Sequence, residues 1–311
     1  MLVKTISVVT SAYNEEESIE ELARRLRAVF DELPAYQFEA IIVENGSRDG
    51  TFDKLRRIHQ EDPRFKVVRL SRNFRMDGGV TAGLRYATGD AAIIMTAALK
   101  EPPEMIKDFI AKWEEGYDNV YGIVKGRPGT ALMRKINSQL FYWIINKFTG
   151  GMIPKNVSDF RLADRKVYEV INQMDERNRF LRGMFVWTGF KSIGIEFERA
   201  PRFRGQSKAN TLGVLELALK GIFAFSNIPL KMISIIGLSV SLFSFVALAI
   251  IIVRVLVWGV PFPGFGTIMA VMLLMFGFGF TALGVIAEYI GLIYEEVKQR
   301  PNFVVGETLG L

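Results

Sequence analysis

The sequence predicts an α/β domain built on a doubly wound, mostly parallel sheet, followed by an amphipathic juxtamembrane helix and two transmembrane helices. Three observations lead there. Short β-branched runs alternate with amphipathic segments between residues 5 and 95. The 311-residue chain is 50% hydrophobic yet 23% charged, with a mean hydropathy of +0.20, so an apolar excess must be concentrated somewhere. It lies in two runs of the last third, each longer than the about 20 residues that cross a bilayer core.

Residues 5–11 (TISVVTS) are a continuous β-branched run, as expected for a parallel strand buried on both faces. Asn14 and the acids at 15–17 cap and open a helix reaching about residue 33, with Arg24, Arg25 and Arg27 later, matching the helix dipole. Residues 38–43, 66–70 and 91–95 read as further strands, and 51–60 and 77–87 as helices. This βαβαβαβ order makes a doubly wound sheet the economical fold. Ligands of such sheets sit beyond the carboxyl ends of the strands, which directs attention to residues 12–15, 44–49, 71–75 and 96–104.

Between residues 211 and 226, Leu212, Leu215, Leu219, Ile222 and Phe223 form an apolar stripe. It suits either a helix lying in a membrane interface and guiding a lipid chain or a packed core helix. Residues 229–259 carry only Lys231 and Arg254, and residues 267–293 meet their first ionisable side chain at Glu288. The Pro/Gly link between these runs leaves room for a tight hairpin. Arg199, Arg202, Arg204, Lys208 and Lys220 precede the hairpin, Lys231 stands at its start, Lys298 and Arg300 follow it, and its loop has no basic residue. The positive-inside rule therefore places both flanks in the cytoplasm. The expected divisions are a soluble domain at 1–208, the interfacial helix at 209–228, the membrane hairpin at 229–295 and a cytoplasmic tail at 296–311.

The opening apolar stretch is too short for a signal peptide and runs straight into the first strand. With no cysteine, disulfides and thiolate metal sites are excluded. The single histidine, His59, sits on a charged helix where a surface role is expected, which argues against histidine catalysis. A net charge of +6 suits anionic head groups and phosphates; it would suit nucleic acid equally, and the apolar pair decides for the membrane and against nucleic acid.

Tyr13-Asn14-Glu15 follows the first strand and Glu44-Asn45-Gly46-Ser47 the second. Carboxylates and amides there can accept hydrogen bonds from a base N–H or ribose hydroxyls, although each motif alone also reads as an N-cap or a turn. The series as a whole says more: SVVTSAYNEEESI, VENGSRDGT, LSRNFRMDGGVTAGLRYATGD, EPPE, DFRLADRKV, RNRFLRG, RFRGQSKAN and AEYIGLIYEEVKQRP. It resembles the family 2 glycosyltransferases over nearly the entire chain. The likeness is to the polyprenyl-phosphate group related to dolichol-phosphate mannose synthase and the bactoprenol glucosyltransferases.

The resemblance implies a GT-A fold and inverting transfer of one sugar from a nucleoside diphosphate donor, UDP-linked, to polyprenyl (undecaprenyl) phosphate. The enzyme would be multi-pass in the cytoplasmic membrane, with its domain in the cytoplasm. It would form a homo-oligomer and feed a downstream flippase and transferase. Carried over by position, Tyr13, Glu15, Glu44 and Asn45 would contact the nucleoside, and Arg72 the base or phosphates. Asp159 in DFRL would stand near the reacting centre, either positioning groups there or ion-paired with Arg161. Arg179, Arg182, Arg202, Arg204, Ser207 and Lys208 would hold the lipid phosphate and donor diphosphate, the plainer alternative being a basic patch for anionic lipid.

One departure stands out. Where the family's fourth strand ends in Asp-Ala-Asp-Leu-Gln and binds Mg²⁺ or Mn²⁺, this chain has Thr96, Ala97, Ala98, Leu99 and Lys100. Hard cations need oxygen ligands, usually including a carboxylate, and both expected carboxylates are missing from the donor-binding positions 96 and 98. Either Lys100 supplies the positive charge directly, or other acids such as Glu101 hold the ion, or the chain binds nucleotide and lipid without turnover. Three changes together favour a natural variant over a designed knockout. A processive synthase is disfavoured by only two spans and by the lack of a QxxRW motif.

Overall fold

The computed structural model describes residues 3–125, 156–198, 228–258 and 264–311. The chain divides into two compact units, one of Met1–Lys220 with Arg300–Leu311 and one of Gly221–Gln299.

In the first unit, β1 (Thr5–Ala12), α1 (Ile19–Asp31), β2 (Gln37–Glu44), α2 (Thr51–Glu61), β3 (Phe65–Leu70), α3 (Arg75–Tyr86) and β4 (Ala91–Thr96) follow in the expected order. A 3₁₀ turn at Pro103–Met105, α4 (Ile106–Glu114), β5 (Asn119–Val124), β6 (Val157–Asp164), α5 (Arg165–Gln173), α6 (Leu181–Trp187) and β7 (Ser192–Phe197) come next. The final strand, β8, is Val305–Leu309. Together they make an eight-stranded sheet in the order β7-β5-β6-β4-β1-β2-β3-β8. The strands β4, β1, β2 and β3 run parallel, while β6 is antiparallel to β4 and β8 antiparallel to β3.

The β-branched runs are buried on both faces, as their composition requires. Val8 and Ile42 face one side and join Leu22, Leu26, Phe52 and Leu55 in the main core. Val9 and Val43 face the other side, where α3 lies against them; an added Cβ at Gly83 would strike Val9 Cγ1 and stand 3.2 Å from Val43 Cγ2. The glycines of α3 thus let a helix approach the sheet more closely than side chains would permit.

Two boundaries differ from the sequence reading. Helix α1 begins at Ile19 rather than at residue 14, because Asn14 adopts a left-handed backbone (φ 52°) and Glu15 closes a turn that accepts from Ser18 N–H at 3.0 Å. The segment 296–311, expected as a tail, instead supplies β8. It pairs Arg69 with Glu307 and Val68 with Thr308, covering an edge of β3 whose backbone groups would otherwise lack partners.

The second unit holds α7 (Ile228–Trp258) and α8 (Phe265–Lys298). Both are long and apolar enough to cross a membrane. Their large apolar side chains, Leu238, Phe243, Leu256 and Phe280 among them, are exposed on this unit, as suits helices solvated by lipid. The expected interfacial helix at 209–228 falls almost wholly outside the described residues, as do Arg202, Arg204, Ser207 and Lys208.

Candidate active site

The parallel strands direct their carboxyl ends, and the antiparallel β6 its amino end, to one edge of the sheet. The loops there interlock. Asn14 N–H donates to Ser47 Oγ at 3.0 Å, and Arg48 N–H donates back to Asn14 Oδ1 at 2.9 Å. Glu15 N–H donates to Thr51 Oγ1 at 3.0 Å, and the Glu15 carboxylate accepts from Ser18 Oγ at 2.8 Å. Tyr13 is half-buried beside them. Three residues with left-handed backbones stand at this edge, Asn14 and Leu99 on the loops after β1 and β4 and Arg75 at the first position of α3. Backbone strain of this kind collects where loops are held for function.

Glu44 and Asn45, expected to meet a nucleoside, turn inward. Glu44 is fully buried, accepts from Ser47 N–H and lies 3.3 Å from Arg69 Nε. Asn45 is 2% exposed; its amide donates to Arg75 O at 2.7 Å and its carbonyl accepts from Phe74 N–H at 2.9 Å. The Asn45 side chain is spent on fixing the loops after β2 and β3, while Glu44 keeps one buried carboxylate oxygen that lies near Arg69 without a hydrogen bond; both side chains sit deeper than the sequence reading of direct base or ribose contacts expects. Arg72 does stand exposed, its guanidinium 4.0 Å from the Phe74 ring centre.

Beyond β4 the polypeptide turns inward. Ala98 is 6% exposed and Glu101 is fully buried, accepting from the Thr96 hydroxyl on one oxygen and from Ser158 Oγ at 3.3 Å on the other. Lys100 is half-buried between them in sequence. The two positions where the family carries aspartates do not fit a divalent cation: Ala98 has no side-chain ligand atom, and the Thr96 hydroxyl is engaged with Glu101. Among the described residues no group of three or more acids or histidines is placed to hold an ion.

A cavity of about 190 Å³ opens at the same edge between α3, β4, β6 and α6. Met76, Val80, Ile94, Phe180, Leu181 and Phe185 give it apolar walls, and Asp77, Asp159, Arg161 and Arg182 its polar groups. Asp159 is paired with Arg182 rather than Arg161: Arg182 Nε and Nη2 donate to the two carboxylate oxygens at 2.6 and 2.7 Å. Such a bidentate pair fixes both side chains in one plane. Arg161 is 3% exposed and lies 4.3 Å from the centre of the Phe185 ring; burial pulls its pKa down to about 10, against the opposing pull of Asp159.

Arg179, expected to hold phosphate, is not presented to the cavity. It is buried and donates to Met174 O and Ile171 O, both at 2.7 Å, closing the carboxyl end of α5, and burial lowers its pKa. The helix end leaves carbonyls that need donors, and this guanidinium supplies them. The aromatic wall from Phe180 and Phe185 was missed in the sequence, where the one-turn pair Leu181 and Phe185 in RFLRGMF was the available signal.

The chain matches the family model described as "Glycosyl transferase family 2" over residues 7–171. It is 40% identical over 306 residues to an uncharacterized glycosyltransferase of Synechocystis sp., covering 98% of this chain and 96% of that one. It is 36% identical over 303 residues to the bactoprenol glucosyl transferase of Shigella phage SfII, covering 97% and 98% respectively. Among solved structures it is similar to glucosyl-3-phosphoglycerate synthase from Mycobacterium tuberculosis in complex with phosphoglyceric acid. The TM-score there is 0.48 at 18% identity, over 70% of this chain and 80% of that one.

Proposed function

The chain belongs to glycosyl transferase family 2, and from that premise we propose that it transfers one sugar from a UDP-linked donor to a polyprenyl phosphate without a divalent cation. What carries the reading is the full-length likeness to bactoprenol glucosyl transferases, which extends through both apolar helices. The cavity beside Asp159 and Arg182 supports it by offering a partly desolvated pocket with fixed charge.

The acceptor phosphate oxygen attacks the anomeric carbon as the bond from that carbon to the donor diphosphate breaks, its electrons leaving with the diphosphate. Attack from the opposite face inverts the configuration. A phosphate is already anionic near neutral pH, so no base is required to expose the nucleophile. Asp159 therefore positions Arg182, whose guanidinium faces the developing charge, and Lys100 supplies the cationic charge at the loop where the expected carboxylates are replaced. Arg202, Arg204, Ser207 and Lys208 are assigned to the lipid phosphate, and Tyr13, Glu15 and Arg72 to the nucleotide. The domain faces the cytoplasm, by the basic flanks of the hairpin.

The test is glycolipid formation by the purified chain from UDP-sugars and undecaprenyl phosphate, in EDTA and with added Mn²⁺. Product in both, at similar rates, is expected. No product with any donor, or product only with Mn²⁺, overturns the proposal. The exchange of carboxylates for Thr96 and Ala98 favours one other reading, a membrane-bound nucleotide and lipid binder without turnover. Calorimetric titration with UDP that shows binding in a preparation without transfer would select it.

A further inference from the structure

The cavity has two walls that come from distant parts of the sequence. One is the start of α3, with Met76, Asp77 and Val80; the other is the segment leading into α6, with Phe180 and Leu181. A third segment touches both. The Asn302 side-chain amide donates to Glu176 O at 3.1 Å, just before the second wall. On its other side the Asn302 backbone oxygen packs on α3 at Gly78, where an added Cβ would stand 3.0 Å from it and 2.7 Å from Phe74 Cβ. The approach exists because residue 78 has no side chain.

The position of Asn302 is itself fixed. Ser71 N–H donates to Val304 O at 2.9 Å, and β8 then pairs along β3 from Val305 to Leu309. Arg69, on β3, reaches both Glu44 at 3.3 Å and Glu307 at 3.8 Å, so the same strand pair bears on the loop after β2. Only Gln299, Arg300 and Pro301 separate Asn302 from the end of α8 at Lys298.

We infer that Asn302 is a positioning residue that clamps the two walls of the cavity at their working separation, with β8 as its anchor. This rests on the reading of that cavity as the reacting site. The clamp acts on geometry, not on charge: the amide holds the 174–180 segment while the backbone oxygen seats α3. A small displacement of reacting groups lowers turnover steeply, whereas the affinity of groups bound outside the cavity is untouched.

The experiment compares full-length Asn302→Ala, Asn302→Asp and Asn302→Gln by steady-state transfer and by amide hydrogen exchange of residues 76–80 and 176–182. Expected are a kcat about tenfold lower in Asn302→Ala and Asn302→Asp, an unchanged KM for the lipid phosphate, and faster exchange in residues 176–182, with 76–80, seated by a backbone oxygen that these variants keep, as the control. Asn302→Gln, which keeps the N–H donor, recovers part of the loss; Asn302→Asp, which keeps only acceptors, does not. Gly78→Ala, which pushes on the clamp from α3, should lower kcat in the same way with the amide intact. Unchanged kcat in Asn302→Ala overturns the inference, whether or not exchange rises. If the unaltered chain makes no glycolipid, it is the functional reading that fails, and unchanged exchange of residues 176–182 in Asn302→Ala then overturns the clamp separately.

Discussion

Asp159 and Arg182 hold each other through two charge-assisted hydrogen bonds, so the reactivity of the cavity depends on a pair and not on a free acid. Asp159→Asn keeps the shape but removes the charge that orients the guanidinium. Its expected effect is a loss of about 100-fold in kcat with little change in donor KM, read by single-turnover transfer. A raised donor KM with kcat unchanged would instead assign Asp159 to ground-state binding. A second residue governs stability away from this edge. Glu39 is 5% exposed and accepts from Ser7 Oγ at 2.5 Å, Thr88 N–H at 2.9 Å and Lys66 Nζ at 2.7 Å. Burial pushes its pKa up, but the hydrogen bonds from Lys66, Ser7 and Thr88 outweigh burial and leave it below the ordinary carboxylate value. Because the folded value is the lower one, its stabilisation is complete above the unfolded carboxylate pKa and is lost as pH falls through the folded value. Glu39→Ala should cost about 3 kcal/mol at pH 7 in denaturant unfolding, and the difference from the unaltered chain should shrink in the acid range below the ordinary carboxylate pKa.

At the scale of elements, α3 is the piece whose sequence explains its placement most directly. Gly79 faces Ser11 and Asn45, and Gly83 faces Val9, so the helix sits against β1 and carries Asp77 to the cavity. Gly83→Ala should destabilise the fold by about 1–3 kcal/mol through overpacking, and Val9→Ala in the same chain should recover part of it, both measured as shifts in unfolding midpoint. The parallel core from β1 to β4 was legible because TISVVTS and AAIIM are short, β-branched or apolar throughout, a pattern that only doubly covered strands sustain. The remaining strands were not. VSDFRLAD in β6 mixes three charged residues with its apolar ones, because one end lines the cavity, and VGETL in β8 is a largely exposed edge. Of the candidate site, the edge of the sheet and Asp159 were readable from order and motif. The inward turn of Glu44, Asn45 and Arg179 was not, since residue type states what a group can bond and not which backbone atoms will be nearest.

For the whole molecule, the order of the chain constrains its topology more tightly than the basic residues alone. The chain leaves the sheet-bearing unit, passes through α7 and α8, and returns residues 305–309 to the same sheet as β8. If α7 and α8 each cross a bilayer, the number of crossings between β7 and β8 attributable to them is even, and both flanks of the hairpin share one compartment. The excess of Lys and Arg on those flanks, including Lys231, Lys298 and Arg300, then predicts the cytoplasm by the positive-inside rule. The absence of cysteine makes this directly measurable, because any introduced thiol is the only one in the chain. Gly264→Cys, at the start of α8, should react with a membrane-impermeant maleimide added outside intact cells. Thr308→Cys, in β8, should react only after the cells are opened. Labelling of both from the same side would require that the two helices do not form a spanning hairpin, and the cationic flanks would then serve an interfacial anchor instead. Opposite-side labelling would fix the sheet, its cavity and the Asn302 clamp in the compartment where nucleotide-linked sugars are made, which is what a cytoplasmic donor requires.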